Sequence, residues 1–175
     1  MADIITEADL SAGAVYLYFK SKSDLIGAVV DMTLSTADEL FAELLGKDPT
    51  PSPENTVAFM VDAVMERAVN HPVLGVDMSR VALNAWAEAL RDPEIAQRID
   101  HTFRHLRQHY AEVARRWQAA GQLDPSADPD QVGAVMLGLV HAFALQRLLI
   151  PGTTPAAYVS GARALLTPSA STPGS

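Results

Sequence analysis

Three histidines, His101, His105 and His109, stand four residues apart. In a helix that spacing stacks imidazoles on one side, where an i, i+4 pair can hold a divalent metal. The neighbouring residues argue for a different use. Ile99, Phe103, Leu106, Tyr110, Val113 and Trp117 recur at roughly 3.5 residues and mark the inward stripe. His101 and His105 then fall on the opposite side with Glu112, and His109 at the flank. The expectation is a solvated face and no metal site. His141 is the lone polar side chain between Val132 and Leu145, expected to be hydrogen-bonded within an interface rather than to touch a ligand.

Other reactive chemistry is sparse. Cysteine is absent, which excludes disulfides, thiolate metal sites and thiol nucleophiles. There is no Gly-rich phosphate loop, no H-E-x-x-H and no inward carboxylate pair on adjacent turns. Neither an enzyme nor a cofactor is expected. What remains is a cluster of rings. The chain holds two Trp, four Tyr and five Phe, yet Tyr16, Tyr18 and Phe19 crowd together just before Lys22. A tyrosine hydroxyl can donate to a phosphate oxygen, and a lysine can neutralise one.

These residues sit in a chain of 175 residues, 49% hydrophobic and 19% charged, the composition of a folded globular protein. No run of about 18 apolar residues suggests a membrane span, and no basic stretch followed by an apolar one suggests a signal peptide. A cytoplasmic location fits. The net charge of −8 runs mildly against nucleic acid. Residues 1–27 offer only Lys20 and Lys22 against Asp3, Glu7, Asp9 and Asp24.

Helix signals run from end to end. Ser52-Pro53, Asp92-Pro93, Asp128-Pro129 and Thr154-Pro155 each pair a capping side chain with a proline suited to the first turn. Ser21-Lys22-Ser23-Asp24 reads as a capping box. Stops fall at Gly46, His71-Pro72, Gly121 and Pro151-Gly152. The spacing predicts helices near 2–8, 12–19, 22–45, 53–70, 76–91, 93–120, 129–149 and 155–166, an all-α fold. Residues 1–27 are expected to form a partial helix-turn-helix domain and 28–166 a helical regulatory and dimerisation domain. Residues 167–175, rich in Ser, Thr, Pro and Gly, are expected to be a flexible tail.

Two short helices joined by a tight turn suit a helix-turn-helix, whose second helix enters the major groove. Ala12, Gly13 and Ala14 would let that helix approach closely, and Val15 and Phe19 would pack inward. The spacing fits equally an ordinary helical hairpin with a Tyr/Phe core plug. The run from Asp3 to Lys22 resembles the DNA-binding signature of TetR-family transcriptional regulators, above all Gly13-Ala14-Val15-Tyr16-Leu17-Tyr18-Phe19-Lys20-Ser21-Lys22. The segment Ala85 to Glu94 resembles the family's regulatory domain more loosely.

The resemblance implies that Ser11, Ala12, Gly13 and Ala14 lie at the groove and that Tyr16, Leu17, Tyr18 and Lys22 contact DNA or its phosphates. Asp9 stands where the family usually has a turn glycine. The family also places a further helix before the position of Asp3, so an additional N-terminal helix is expected. Implied partners are a double-stranded operator, a second copy of the chain and a small effector.

Farther along, Met60, Val64, Met78, Trp86, Phe103 and Tyr110 occupy inward positions and could line an apolar cavity. Plain core packing explains each equally well. Few charges point inward, so a hydrophobic or weakly polar effector is expected. The segment 129–149 is apolar all round. Its stripe of Ala134, Gly138, His141, Ala142 and Leu145, with Val159, Ala162 and Leu166 of the next helix, is expected at a homodimer interface. A wholly internal helix in a monomer is the alternative. The leading function is a ligand-responsive repressor that binds a palindromic operator. The alternative is a helical small-molecule-binding or adaptor protein without DNA binding.

Overall fold

The structure is a computed structural model that describes residues 17–69 and 77–167. Among these residues every element is helical: α1 Lys22–Leu45, α2 Pro53–Ala63 and α3 Met78–Ala89, then α4 Pro93–Ala119, α5 Pro129–Leu149 and α6 Pro155–Leu166. The helices expected near 2–8 and 12–19 lie outside the described residues, apart from helical Leu17 and Tyr18.

The helix starts follow the caps. Ser21 Oγ accepts from the Asp24 amide at 3.0 Å, and the Asp24 carboxylate accepts from the Lys20 amide at 3.1 Å. Asp92 caps α4, Asp128 caps α5 and Thr154 caps α6, each with a proline in the first turn. Asp77 caps α3, accepting from the Ser79 amide at 3.0 Å. Ser52 breaks the pattern: it makes no capping bond, and its buried Oγ finds no partner among the described residues. The helix expected over 53–70 also changes form. Beyond Ala63 the backbone widens into a π-helical stretch, Val64–Val69.

α4 is the axis of the molecule, packing against α5, α1 and α3, while α6 lies on α2. The core gathers Phe41 and Leu44 of α1, Val57, Met60 and Val61 of α2, and Tyr110, Val113, Ala114 and Trp117 of α4. Met136, Leu137, Val140 and Phe143 of α5 and Ala162 of α6 complete it. By length and a mean hydropathy of 1.6, α5 could cross a membrane, although no such segment was expected. Its residues Gly133, Met136, Leu137, Val140 and Phe143 are instead buried in this core.

Polar bonds lock the layers. Trp117 Nε1–H donates to the Pro51 carbonyl at 2.7 Å, and the Arg116 guanidinium donates to the Leu45 carbonyl. The Tyr158 hydroxyl donates to the Leu139 carbonyl at 2.5 Å, tying α6 to α5. Arg147 at the end of α5 pairs with Asp77 at 2.5 Å.

Two expectations fail here. His105 and His109 do not form a solvated face: both reach α1, where their Nε2 atoms lie 2.7 and 2.8 Å from Asp38 Oδ1. The inward stripe of α4 is wider than a single partner would need, because α1 covers its flank. Ala162, expected at a dimer interface, is buried within its own chain, where α6 turns toward α2.

Gly133 permits a close approach of two helix backbones. A Cβ there would lie 2.8 Å from the Ala111 amide nitrogen and from the Arg107 carbonyl oxygen, both rigid backbone of α4. Gly133→Ala should therefore destabilise the protein by about 1–3 kcal/mol. An unhindered helical Gly→Ala change would stabilise by up to about 1 kcal/mol. Denaturant unfolding separates the two by sign, and a gain in stability would refute the close-contact account.

Candidate functional site

Where α3, α4 and α5 diverge beside α1, the helices leave a cavity of about 190 Å³. Val29, Val30 and Thr33 of α1 line one side, and Met78, Ser79, Ala82 and Trp86 of α3 another. Ile99, Thr102, Phe103 and Leu106 come from α4, and Val140, His141, Ala144, Leu145 and Leu148 from α5. Val64 and Ala68 of the π-helical stretch close the remaining side. Among the described residues the wall is apolar except for Thr33, Ser79, Thr102 and His141, and no carboxylate, lysine or arginine lines it.

The side chains that give this cavity its character are aromatic. Trp86 and Phe103 meet edge-on with centroids 5.8 Å apart, and His141 stacks on Phe103 at 5.0 Å. His141 also lies 5.2 Å from Trp86, completing a three-ring cluster. His141 Nδ1–H donates to the Leu137 carbonyl at 2.9 Å, one turn earlier in α5. That bond assigns the ring proton to Nδ1 and leaves Nε2 an acceptor. Burial disfavours the imidazolium and pulls the His141 pKa below its ordinary value, against a smaller opposing pull from the Leu137 carbonyl. The ring is a neutral acceptor in an apolar wall.

Of the six residues expected to line a cavity, Val64, Met78, Trp86 and Phe103 do so. Met60 and Tyr110 do not: both are packed in the main core, and burial drives the Tyr110 hydroxyl far above its usual pKa. His141 and Leu145, expected at a dimer interface, line the cavity. Sequence reasoning missed the contribution of α1, since Val29, Val30 and Thr33 carry no mark that separates them from ordinary core.

Just before the start of α1 lies the other candidate surface. Leu17 is 77% exposed and Tyr18 78% exposed, while Phe19 is half-buried. Ser11, Ala12, Gly13, Ala14 and Tyr16 lie outside the described residues. Lys22, expected at phosphate, pairs with Glu88 of α3 at 3.0 Å. Both partners are part-exposed, so the pair costs DNA only about 0.2–1 kcal/mol to displace. The first turn of α1 already holds its own carboxylate, Asp24, which makes it a poorer anion site than its N-terminus alone suggests. Ser23 Oγ–H donates to Asp92 Oδ2 at 2.9 Å, so the root of α1 is anchored to the α3–α4 junction.

Residues 53–167 match the model of the C-terminal domain of BetI-type transcriptional repressors, and residues 1–29 match that of the tetR family of bacterial regulatory proteins. The chain belongs to the TetR family. It is a DNA-binding transcriptional regulator, and its fold is that of solved regulators. GusR of Salmonella enterica is 18% identical with a TM-score of 0.71, over 94% of this chain and 80% of that one. A transcriptional regulator from Saccharomonospora viridis in complex with choline is 20% identical with a TM-score of 0.70, over 94% and 82%. FadR of Bacillus subtilis in complex with stearoyl-CoA is 14% identical with a TM-score of 0.69, over 95% and 86%. No curated protein matches the sequence significantly. In this TetR-family chain the aromatic cavity and the exposed Leu17-Tyr18 pair share one helix as their connection.

The depressed pKa of His141 has a defined consequence for stability. The folded state resists the proton that the unfolded chain accepts, so this contribution is complete above about pH 6.5 and is lost as the pH falls from there toward the folded pKa. His141→Asn should remove that loss, making the variant's stability less sensitive to acid than the wild type's between pH 7.5 and about 5.5. Parallel urea titrations across this range test it; equal slopes would overturn it.

Proposed function

We propose that the protein is a homodimeric repressor of a roughly palindromic double-stranded operator, released when a small hydrophobic or weakly polar effector enters the cavity. The observation that carries this reading is the double duty of α1. Its root follows directly on the exposed Leu17-Tyr18 pair, and two to three turns on it supplies Val29, Val30 and Thr33 to the cavity wall. A molecule that pushes on that wall pushes on a lever about 1.5 Å long per residue. A shift of its root changes the separation of two recognition helices and with it the fit to half-sites about one helical turn apart.

The lining supports the effector class. Its described residues offer three hydroxyl groups and one neutral imidazole but no charge, so a charged ligand would be desolvated without compensation. The Saccharomonospora viridis regulator holds choline and FadR of Bacillus subtilis holds stearoyl-CoA; an uncharged or weakly polar molecule suits the present wall better. An apolar stripe supports the homodimer. Val135 and Leu149 of α5, Ile150 at its end and Leu165 of α6 are exposed large side chains, and a Cβ at Gly138 would meet open space. Ala134 and Ala142 lie on the same helix, while Val159 and Leu166 of α6 are partly buried against the chain's own core. A cytoplasmic location follows from an operator as the target.

The net charge of −8 and the Lys22–Glu88 pair favour a second reading, an effector-binding helical protein without DNA affinity. Mobility shifts of the region upstream of the gene separate the two. A repressor should prefer that DNA to random duplex, bind less as salt rises and let go on addition of an apolar ligand that changes Trp86 fluorescence. Tyr18→Ala should weaken binding about tenfold, the cost of one hydrogen bond to a charged group, without changing thermal stability. Equal affinity for random DNA would overturn the repressor reading.

The dimer has its own test. Val135→Asp combined with Leu149→Asp should give a folded monomer by sedimentation velocity, since each buries an unpaired charge at a twofold contact. A dimer that survives both changes would refute the proposed interface.

A further inference from the structure

The contact between α1 and α4 on the far side of the core has a chemistry of its own. Asp38 Oδ1 lies 2.7 Å from His105 Nε2 and 2.8 Å from His109 Nε2, and the two ring nitrogens are 3.1 Å apart. Three potential ligand atoms from two helices thus converge on one point. As a hydrogen-bonded cluster the arrangement is awkward. Both rings must present an N–H to a single oxygen, with the two donors held side by side at that short separation.

We propose that Asp38, His105 and His109 form a binding site for a divalent transition metal of the zinc, nickel and cobalt type, bridging α1 and α4. Ligand bonds of about 2.0–2.2 Å at angles between 90° and tetrahedral put neighbouring ligand atoms roughly 2.9–3.5 Å apart. The observed triangle needs only a few tenths of an ångström of expansion to meet that range. A cation in place of the two ring protons would turn three crowded atoms into three ligands. Two imidazoles and one carboxylate select nitrogen-seeking metals over magnesium or calcium, which prefer all-oxygen sets.

The surroundings favour the site. His109 stacks on Phe41 with centroids 4.6 Å apart and planes 10° from parallel, and Phe41 is a buried core residue. His105 in turn meets His109 edge-on at 4.6 Å. These contacts fix the ring planes before any metal arrives. The side chains are 47%, 34% and 25% exposed for Asp38, His105 and His109, so water can complete the coordination and the metal has an entry path.

The site would staple the helix that leads from Leu17-Tyr18 to the helix that supplies Phe103 and Leu106 to the cavity. The metal proposal stands independently of operator binding, because its test uses no DNA.

The test uses the full chain with any affinity tag removed and metal stripped by chelator. Titration calorimetry with Zn2+ should give one equivalent per chain, Co2+ should develop visible ligand-field absorption that Zn2+ displaces, and Mg2+ should do neither. His105→Asn, His109→Asn and Asp38→Asn should each weaken Zn2+ binding at least tenfold, whereas His101→Asn on the same helix should leave it unchanged. On the wild type, Zn2+ should shift the ring resonances of His105 and His109 but not those of His101, a readout that needs no variant to fold. Absence of Zn2+ binding, or binding that survives His105→Asn, or equal loss in His101→Asn, would overturn the proposal.

Discussion

The contact between α4 and α5 is the constraint on which the rest of the molecule is hung. Gly133 removes the one side chain that would hold the helices apart, so the backbone of α5 rests on the Ala111 turn of α4. That approach lets Val113, Ala114 and Trp117 interlock with Met136, Val140 and Phe143. Each fully buried large side chain contributes about 1.5–3 kcal/mol, and a few such side chains amount to a substantial part of a domain's net stability. With this pair fixed, α1 and α3 can only lean on the remaining sides of α4, and α6 on α2. The cavity exists because α3 and α5 splay from the same axis.

A cavity in a well-packed interior costs stability, so its persistence needs support from the surroundings. The Arg147–Asp77 pair joins the end of α5 to the start of α3 across one rim. Arg147 Nε has no partner among the described residues, whereas Nη2 is bonded to Asp77. At the other rim Ser23–Asp92 and Lys22–Glu88 fasten the root of α1 to the α3–α4 junction. These are modest polar contacts of the sort that can rearrange. Tight packing lies along α4 and α5, and adjustable contacts lie where α1 enters. A regulator needs that division, because a conformational switch must move one element against a frame that does not move.

The solved regulators share this layout at 14–20% identity, which says that the helical frame tolerates nearly complete replacement of side chains. Choline and stearoyl-CoA in two of them illustrate how different the ligands of a common frame can be. Effector choice must therefore be read from the wall itself. Here the wall offers the Trp86, Phe103 and His141 rings, three hydroxyl groups and no charge.

Local rules made much of this protein legible before folding. Asp92-Pro93, Asp128-Pro129 and Thr154-Pro155 start helices where they were expected, because a cap and its proline act within one turn. Ser21 and Asp24 open α1 for the same reason. Leu17 and Tyr18 are exposed beside half-buried Phe19. Periodicity told which residues leave water, but not what they meet. Val64, Met78, Trp86 and Phe103 face the void while Met60 and Tyr110, of the same character, face other atoms. Likewise, which helix covers the flank of α4 decided that His105 and His109 meet Asp38, and the rotation of α5 decided that His141 faces the cavity. Caps and amphipathic stripes are encoded within a few residues, whereas the angle and depth at which helices cross depend on side chains far apart in the chain, and only the assembled fold sets them.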